Sequence, residues 1–357
     1  MRVGLIIYGS LETRSGGYLY DRRLVEHLRS VGDEVEIVSL PWRNYMLHLS
    51  DNLSATLARR LKGLDIDVLL QDELNHPSLF LLNRRLHRTV SYPIVSLVHH
   101  LRTSERHSAL AMVVYSFVEA AYLRSVDGFI CNSRTTRTVV NRYARPEPPA
   151  VVAVPGRDHV RIEIDAEGIA RRAEAPGPLR ILFVGNVTRR KALHTLLDAL
   201  ARLEPGSWEL TVVGGLDVDP VYARRQKAFA DRHGWDDRVR FSGYVEPEAL
   251  AGLLLRHHVL AGPSQYEGYG IAYLEALGAG LPVIASTGGA AGEFVRTASN
   301  GYLVHPGDAP RLAMLLESLH RNRAMLARLG VQARADYEAH PTWGESMAKA
   351  RDFLVGL

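Results

Sequence analysis

Short apolar runs alternate with segments of helical spacing along the whole chain. In the first half, helices such as residues 18–30 and 133–143 separate strands predicted at VGLIIYG, EVEIVSL, DVLLQ, PIVSLV, DGFIC and AVVAVP. This alternation is typical of parallel sheets whose strands are joined by helical crossovers. Residues 1–165 are therefore predicted to form one doubly wound α/β domain.

The alternation is interrupted and then resumes. Two proline-bearing stretches, ARPEPPA and RRAEAPGPL, flank a segment without strong periodicity, which is typical of an interdomain linker. Further strands are predicted at LRILFVG, WELTVVG, RVRF, HVLAG, LPVIAS and GYLV. Residues 166–339 are therefore predicted to form a second α/β domain. Because ligands of open parallel sheets bind at the carboxyl ends of the strands, two such domains facing each other would enclose a cleft.

Composition narrows the class of protein. The 357 residues are 46% apolar and 23% charged, with a formal net charge of +4. These values fit a globular protein of about two domains and exclude a disordered chain. The sequence carries no nucleic-acid-binding motif, and the single cysteine, Cys131, is expected to be a buried apolar side chain in a reducing compartment. The cytoplasm is the predicted location.

Neither of the two prominent apolar segments is predicted to cross a membrane. The N-terminal MRVGLIIYGS breaks at a glycine and lacks the features of a signal peptide. The run SALAMVVYSFVEAAYL is shorter than the roughly 20 residues that a spanning helix needs, and it contains Glu119.

A cluster of cations follows the first strand of the second domain. In GNVTRRKALHTLLDAL, Arg189, Arg190 and Lys191 precede a helix predicted to start at Leu193. A helix N-terminus favours anions, so three cations there predict a phosphate site, although a solvated basic turn is an equal alternative. After the next strand, Gly214 and Gly215 would let a ligand approach the backbone, but a tight turn is the favoured interpretation.

Two pairs of aspartates have the spacing of a metal-binding carboxylate pair. They lie in DID, at residues 65–67, and in DVD, at residues 217–219. A structural role is favoured for both pairs, and no metal site is predicted.

The stretch PSQYEGYGIAYLEALGAGLPVIAS places two glutamates around a glycine-containing loop. If a helix begins near Tyr269, Gly268 and Gly270 would expose N–H groups to an anion at its start, while Glu275 would lie in its second turn. A carboxylate accepts hydrogen bonds from two hydroxyl groups and therefore suits the diol of a ribose or hexose. Glu267 and Glu275 could reach different parts of one ligand, although this spacing alone also occurs by chance.

These residues resemble the C-terminal signature of the retaining glycosyltransferases of family four, which have a GT-B fold. The signature is a Pro-Ser loop, two glutamates separated by seven residues, and a G-x-P-V strand, as in Pro263, Ser264, Glu267, Glu275 and the segment 280–283. The resemblance covers nearly the whole chain and is strongest from about residue 179 to residue 305. It implies two Rossmann-like domains that face a cleft.

The resemblance also implies roles for these residues. Glu275 is expected to hold the nucleotide ribose, Glu267 to lie beside the donor sugar, and the backbone of Gly268, Tyr269, Gly270 and Ile271 to meet the sugar and phosphates. Lys191 matches a lysine that faces the diphosphate.

At one position the chain departs from the family pattern. The family's usual arginine in the loop after the first strand of the second domain is replaced by Asn186. We therefore expect Arg190 to supply the missing charge.

In the first domain, SGGYLYDRRL resembles the family's double-glycine turn. Gly16 and Gly17 are expected to approach the distal phosphate or the acceptor. The family has a histidine near the reacting centre, and His99 aligns better than His100 by its distance from Pro93; a structural histidine at a strand end is the alternative. The segment VVAVPGRDHV resembles the end of the N-domain, and residues 340–357 resemble a C-terminal helix that packs back on it.

The resemblance implies transfer of a hexose-type sugar from a nucleotide-diphosphate sugar, UDP- or GDP-linked, to a hydroxyl acceptor. No metal and no other cofactor are expected. A nucleotide-sugar epimerase of the GT-B type and a non-catalytic sugar-nucleotide-binding protein remain alternatives. Arg102, Arg106 and Arg124 bracket an apolar helix, so peripheral contact with an anionic membrane is considered alongside the alternative that the helix packs in its own domain.

Overall fold

The computed structural model describes residues 1–144 and 148–357 and divides them into two units. The N-terminal unit comprises residues 1–156 and 342–357, and the C-terminal unit comprises residues 157–341. The boundary expected from the sequence, at residue 165, lies C-terminal to this division. Part of the ARPEPPA stretch, residues 145–147, lies outside the described residues.

The N-terminal unit contains a parallel sheet of six described strands in the order β2-β1-β3-β4-β5-β6. Its strands are β1 (Arg2–Tyr8), β2 (Glu34–Leu40), β3 (Val68–Asp72), β4 (Ile94–Val98), β5 (Gly128–Cys131) and β6 (Ala150–Val152). Its first seven helices are α1 (Gly16–Ser30), α2 (Tyr45–Asp51), α3 (Ala55–Lys62), α4 (His76–Leu79), α5 (Leu82–Leu86), α6 (Ala109–Leu123) and α7 (Arg134–Tyr143). Strands β3, β4 and β5 are buried throughout, as expected for strands covered by helices on both faces. Cys131 is fully buried, as predicted.

The C-terminal unit contains a second parallel sheet, with described strands in the order β12-β11-β10-β7-β8-β9. Its strands are β7 (Leu179–Val184), β8 (Trp208–Val213), β9 (Val239–Gly243), β10 (Val259–Gly262), β11 (Val283–Ser286) and β12 (Gly301–Val304). Its helices are α8 (Ala166–Glu174), α9 (Leu193–Leu200), α10 (Pro220–Arg232), α11 (Pro247–Arg256), α12 (Ile271–Gly278), α13 (Ala309–Arg321) and α14 (Arg323–Glu338). Counted from β7, this is the Rossmann strand order.

The strand orders fix where each sheet can bind a ligand. In an open α/β sheet, the crevice lies where the strand order reverses, outside the carboxyl ends of the strands. That point falls between β7 and β10 in the C-terminal unit and between β1 and β3 in the N-terminal unit. Within each unit, the loops at this point carry predicted site residues: Gly16 and Gly17 follow β1 in the N-terminal unit, and Lys191 and Glu267 follow β7 and β10 in the C-terminal unit.

One segment interpreted as linker has regular structure instead. Helix α8 occupies residues 166–174, with the Asp165 side chain accepting a hydrogen bond from Gly168 N–H at its start. Ile169 and Ala173 are buried, and the helix packs on α14. The prediction missed α8 because only this short apolar pair, four residues apart, marks its inner face.

The last helix, α15 (Trp343–Val355), belongs to the N-terminal unit, where it packs on α1 and β6. It begins with a capping box between Thr342 and Glu345, and the Trp343 ring packs edge-on against Tyr20 at a centroid distance of 5.8 Å. Gly156 is required beside it, because a Cβ there would collide with the Trp343 backbone.

Candidate functional site

The loops after β7 and β10 contact each other through a charged cluster. Lys191 Nζ lies 2.6 Å from Glu267 Oε2, and Arg190 Nη1 lies 3.8 Å from Glu267 Oε1. Arg190 also donates to the Tyr266 carbonyl at 2.8 Å. Burial lowers the pKa of the Lys191 ammonium, and the neighbouring Glu267 carboxylate opposes that shift. The structure thus brings together three residues that were predicted as catalytic from two separate motifs.

The loop that carries Glu267 is held by the loop after β11. Glu267 N–H donates to the Gly288 carbonyl at 2.9 Å, and Ala290 N–H donates to the Glu267 carbonyl at 2.9 Å. A side chain at Gly289 would collide with the Glu267 backbone, so this close pairing needs glycine. The carboxylate of Glu267 therefore projects from a backbone fixed on both sides.

Helix α12 begins two residues later than Tyr269. Gly270 precedes it with φ +102°, a conformation that favours glycine. The side chain of Tyr269 is buried, stacks on Phe294 at 4.9 Å and bonds to His340 through its hydroxyl at 3.2 Å. Because these contacts occupy the Tyr269 side chain, the main chain of the segment is the part suited to meet a ligand, at Gly268, Tyr269 and Ile271.

Glu275 lies in the second turn of α12, as predicted, and is 8% exposed. Burial raises the pKa of its carboxyl group to about 8. His159 Nε2 lies 3.9 Å from its Oε1. A carboxyl group this deeply buried is an uncommon feature, and strongly shifted carboxyl groups concentrate at functional sites.

Asn186 and Gly214 connect the loops after β7 and β8. The Asn186 side-chain oxygen accepts from Gly215 N–H at 3.0 Å. A side chain at Gly214 would collide with the Gly185 carbonyl, so this glycine allows two backbones to approach each other. Asn186 and Gly214 thus hold the loops after β7 and β8 close together, and Arg190, expected to supply the charge that Asn186 lacks, lies in the same β7–α9 loop.

In the N-terminal unit, the double-glycine turn lies beside His99. Gly16 and Gly17 open α1, and a Cβ at Gly17 would stand 3.1 Å from His99 Cδ2. His99 Nε2 is 2.9 Å from Asp21 Oδ1 on the next turn of the same helix. His100 instead bonds to Glu105 at 3.0 Å. The two glycines and His99 were predicted as parts of one site, and they are neighbours.

Sequence reasoning missed a row of buried acids behind His99. Carboxylate oxygens of Asp21 and Asp72 lie within 4.8 Å of each other, and so do those of Glu73 and Glu119; all four side chains are buried. Burial raises the pKa of Asp72 to about 7, of Glu73 to about 8 and of Glu119 to about 7. Burial alone would lower the pKa of His99, but the acids outweigh it and raise that pKa to about 9.

At the end of this row away from His99, Glu119 holds the loop after β4. Glu119 Oε1 accepts from Arg102 N–H at 2.6 Å, and Oε2 accepts from Thr103 N–H at 3.2 Å. His76, beside Glu73, bonds to the Tyr45 hydroxyl at 3.1 Å. The sequence signal for this row is the pair of acids at the end of β3, Asp72 and Glu73 in QDELNH.

Two groups of side chains in this row have atoms of the types that bind metals. Asp21, Asp72 and His99 form one, and Glu73, His76 and Glu119 form the other; in each, the atoms lie within 4.8 Å of one another. Hydrogen bonds within the groups account for their placement, and we assign no metal to them.

The two aspartate pairs noted in the sequence have structural partners. In DID, Asp67 accepts from Arg2 N–H at 2.7 Å and Asp65 pairs with the Arg2 side chain. In DVD, Asp219 caps α10 by accepting a hydrogen bond from Tyr222 N–H at 3.1 Å.

With this geometry established, the relatives of the chain can be compared. Residues 166–336 match the model of the family described as Glycosyl transferases group 1. Glycogen synthase of Mycobacterium tuberculosis strain H37Rv is 29% identical over 262 residues, covering 70% of this chain and 60% of that protein. The matched region thus spans about three fifths of the length of the first curated relatives.

Solved structures resemble the chain over its whole length. Sucrose-phosphate synthase from Thermosynechococcus elongatus superposes with a TM-score of 0.82 at 22% identity, covering 99% of this chain and 98% of that one. Anabaena HepE in complex with UDP-glucose gives 0.78 at 17% identity, covering 100% of both chains. The comparisons confirm the predicted GT-B fold of two Rossmann-like units and, at the level of the matched domain, the predicted glycosyltransferase class.

Proposed function

We propose that this chain transfers a hexose-type sugar from a nucleotide-diphosphate sugar to a hydroxyl group of an acceptor, with retention of the anomeric configuration. The observation that carries the proposal is the cluster of Lys191, Arg190 and Glu267 at the strand-order reversal of a group 1 glycosyltransferase domain. The donor is UDP- or GDP-linked; the HepE structure, determined with UDP-glucose, supports a nucleotide sugar.

The charged cluster suits stabilisation of a leaving diphosphate. Cations and helix N-termini aimed at developing negative charge are effective in a partly buried site, where water screens them poorly. Lys191 and Arg190 would exchange part of their contact with Glu267 for contact with the phosphates. The main chain at Gly268 and Gly270 would also contact the phosphates, at the start of α12. Glu267 would then be available to the donor sugar.

Glu275 would accept hydrogen bonds from the ribose hydroxyls. It lies eight residues after Glu267 and within α12, so the two carboxyl groups would reach different parts of one nucleotide sugar. In the N-terminal unit, Gly16, Gly17 and His99 would contact the transferred sugar or the acceptor.

The reaction is proposed to need no metal, because two side-chain cations and a helix N-terminus supply the positive charge. Activity that survives chelation by EDTA supports this; activity that requires an added divalent cation contradicts it. Retention is tested by NMR of the product's anomeric proton when the donor is an α-linked sugar.

Peripheral membrane contact is part of the proposal for the acceptor side. Leu110, Val113 and Phe117 follow one another on a single face of α6 and are 79%, 68% and 71% exposed. Arg106, exposed just before the helix, could pair with anionic headgroups. Across residues 1–144 and 148–357, no helix has the length and apolar character to cross a membrane. A cytoplasmic protein that docks on the inner membrane face would meet a lipid or lipid-linked acceptor, and flotation with anionic vesicles tests this.

The donor is identified by measuring thermal shifts with UDP, GDP, ADP and dTDP and their common sugar conjugates. A ligand at a hundred times its Kd adds about 2.7 kcal/mol of stability, so one nucleotide series should stand out. Incubation with the stabilising donor alone then separates the alternatives. A transferase hydrolyses it slowly at most, an epimerase makes a new sugar nucleotide, and a binding protein leaves it unchanged. If no nucleotide stabilises the protein, the proposal fails.

A further inference from the structure

Three side chains lie next to one another behind the double-glycine turn. His99, directly after β4, bonds through Nε2 to Asp21 on α1 at 2.9 Å, and carboxylate oxygens of Asp21 and of Asp72, at the end of β3, lie within 4.8 Å of each other. Asp21 is fully buried and Asp72 is 3% exposed, whereas the His99 side chain is 14% exposed. The series therefore runs from a buried acid outwards to a histidine that ligands can reach.

Two carboxyl groups in contact inside a protein cannot both be ionised at neutral pH, because the repulsion is poorly screened there. Burial and the neighbouring Asp21 raise the pKa of Asp72 to about 7, so Asp72 is protonated in a large fraction of molecules at neutral pH and in most of them below it. A protonated Asp72 can donate to Asp21, which bonds to His99.

The surroundings of His99 fix the ring in one orientation. The Tyr20 ring packs edge-on against it at a centroid distance of 5.1 Å, and the ring occupies space that a side chain at position 17 would need. The ionisable groups facing it are Asp21 from α1, Asp72 from β3 and Glu73, the residue that follows. With Nε2 bonded to Asp21, Nδ1 is the nitrogen that can donate to a ligand.

We propose that Asp21 is a positioning residue for His99: it fixes the ring through Nε2 and holds it as a charged imidazolium, and Asp72 supports Asp21 as a neutral donor. This inference rests on the proposed function, in which His99 contacts the transferred sugar or the acceptor. A charged Nδ1–H donor in that position would stabilise negative charge on an oxygen of the ligand.

The first test needs no substrate. With ¹⁵N-labelled histidine, the His99 signal is assigned by its loss in His99→Gln and followed at about pH 8, between the ordinary histidine pKa and its raised value. The wild-type protein should show both ring nitrogens protonated. Asp21→Asn, which keeps the side-chain shape but removes the charge, should show a neutral ring at the same pH. An identical His99 signal in the two proteins would overturn the inference.

The second test is a double-mutant cycle with the donor identified above. We expect His99→Ala to lower kcat by about a hundred-fold, the size reported for loss of one donor that stabilises transition-state charge. Asp21→Asn should lower kcat at least about ten-fold without changing nucleotide affinity, which belongs to the C-terminal unit. Because Asp21 acts through His99, the double variant should be no slower than His99→Ala. Losses that multiply would refute the assignment.

Asp72→Asn is the matched comparison, because it is an isosteric change of the adjacent buried carboxyl group. An amide can replace a protonated acid as a donor to Asp21, so this variant should lower kcat by a smaller factor than Asp21→Asn and should leave His99 charged at about pH 7, where wild-type Asp72 is still partly protonated. The reverse order would place the charge on Asp72 and overturn the inference. If no donor is consumed, the proposed function fails, while the histidine spectra still decide the role of Asp21.

Discussion

Replacing Glu275 by glutamine should stabilise the folded C-terminal unit and weaken nucleotide binding at the same time. Both effects follow from the burial of one carboxyl group in the second turn of α12. That burial raises its pKa from 4.5 to about 8. A carboxyl group whose burial reduces stability is expected where it binds a ligand. Replacing it should then stabilise the ligand-free protein and impair function.

The magnitude follows from proton linkage. The unfolded chain releases this proton near pH 4.5, whereas the folded protein keeps it until about pH 8. Between these values the folded state binds the extra proton, so stability falls as the pH rises. Each pH unit in the window costs about 1.4 kcal/mol, which gives about 3 kcal/mol at neutral pH and about 5 kcal/mol above pH 8. Glutamine does not ionise and removes this cost.

Hydrogen exchange of the amides in β10 and β11 measures the stability of the C-terminal unit alone, since these buried strands exchange through opening of that unit. These amides should exchange more slowly in Glu275→Gln than in the wild-type protein. The difference in opening free energy between the two proteins should grow from about pH 5 to about pH 8. Glu248→Gln, an exposed change in α11, is the control and should show no such growth. A difference that is the same at every pH would refute the reasoning. Nucleotide affinity should fall about ten-fold, because glutamine offers the ribose hydroxyls one acceptor oxygen where the carboxyl group offers two, and one hydrogen bond is lost.

Two further changes test the N-terminal unit. Gly17→Ala should slow donor turnover without altering nucleotide affinity, because the new methyl group displaces the His99 ring. Gly344→Ala in α15 is the control and should leave turnover unchanged, because a Cβ there meets nothing closer than 3.9 Å. Equal effects of the two substitutions would contradict this prediction. Arg351→Met should lower the Tm at pH 7, because Arg351 holds the pKa of the Asp33 carboxyl below its ordinary value of 3.8. The stabilisation by this ion pair is present above pH 3.8 and is lost as the pH falls through the lowered pKa of Asp33. A Tm difference between the variant and the wild-type protein that persists in strong acid would argue against the ion pair.

The strands and the C-terminal site loops could be predicted because their signals are local. Short buried runs such as HVLAG and GYLV are apolar at every position, as strands covered on both faces must be. Glycines and charges directly after such runs mark the carboxyl edge of the sheet. Gly270 fixed the start of α12 two residues beyond the expected position, since its φ of +102° is incompatible with the helix itself.

The acid row could not be predicted, because its residues meet only after folding. Asp21, Asp72 and Glu119 lie on three separate elements, and periodicity shows which face of an element is buried but not which side chains touch. An acid such as Glu119 in an apolar helix is ambiguous on its own. Its partner, the backbone of the loop after β4, has no signature in the sequence.

The central claim is tested most directly by the release of nucleoside diphosphate from a panel of UDP- and GDP-sugars. Wild-type protein and Lys191→Met are compared at equal concentrations, with binding of the nucleotide measured separately. We expect one donor to be consumed by the wild-type protein and to be consumed about a hundred-fold more slowly by Lys191→Met, because an electrostatic partner of the leaving group has been removed. Equal rates for the two proteins, or no consumption of any donor, would contradict the account.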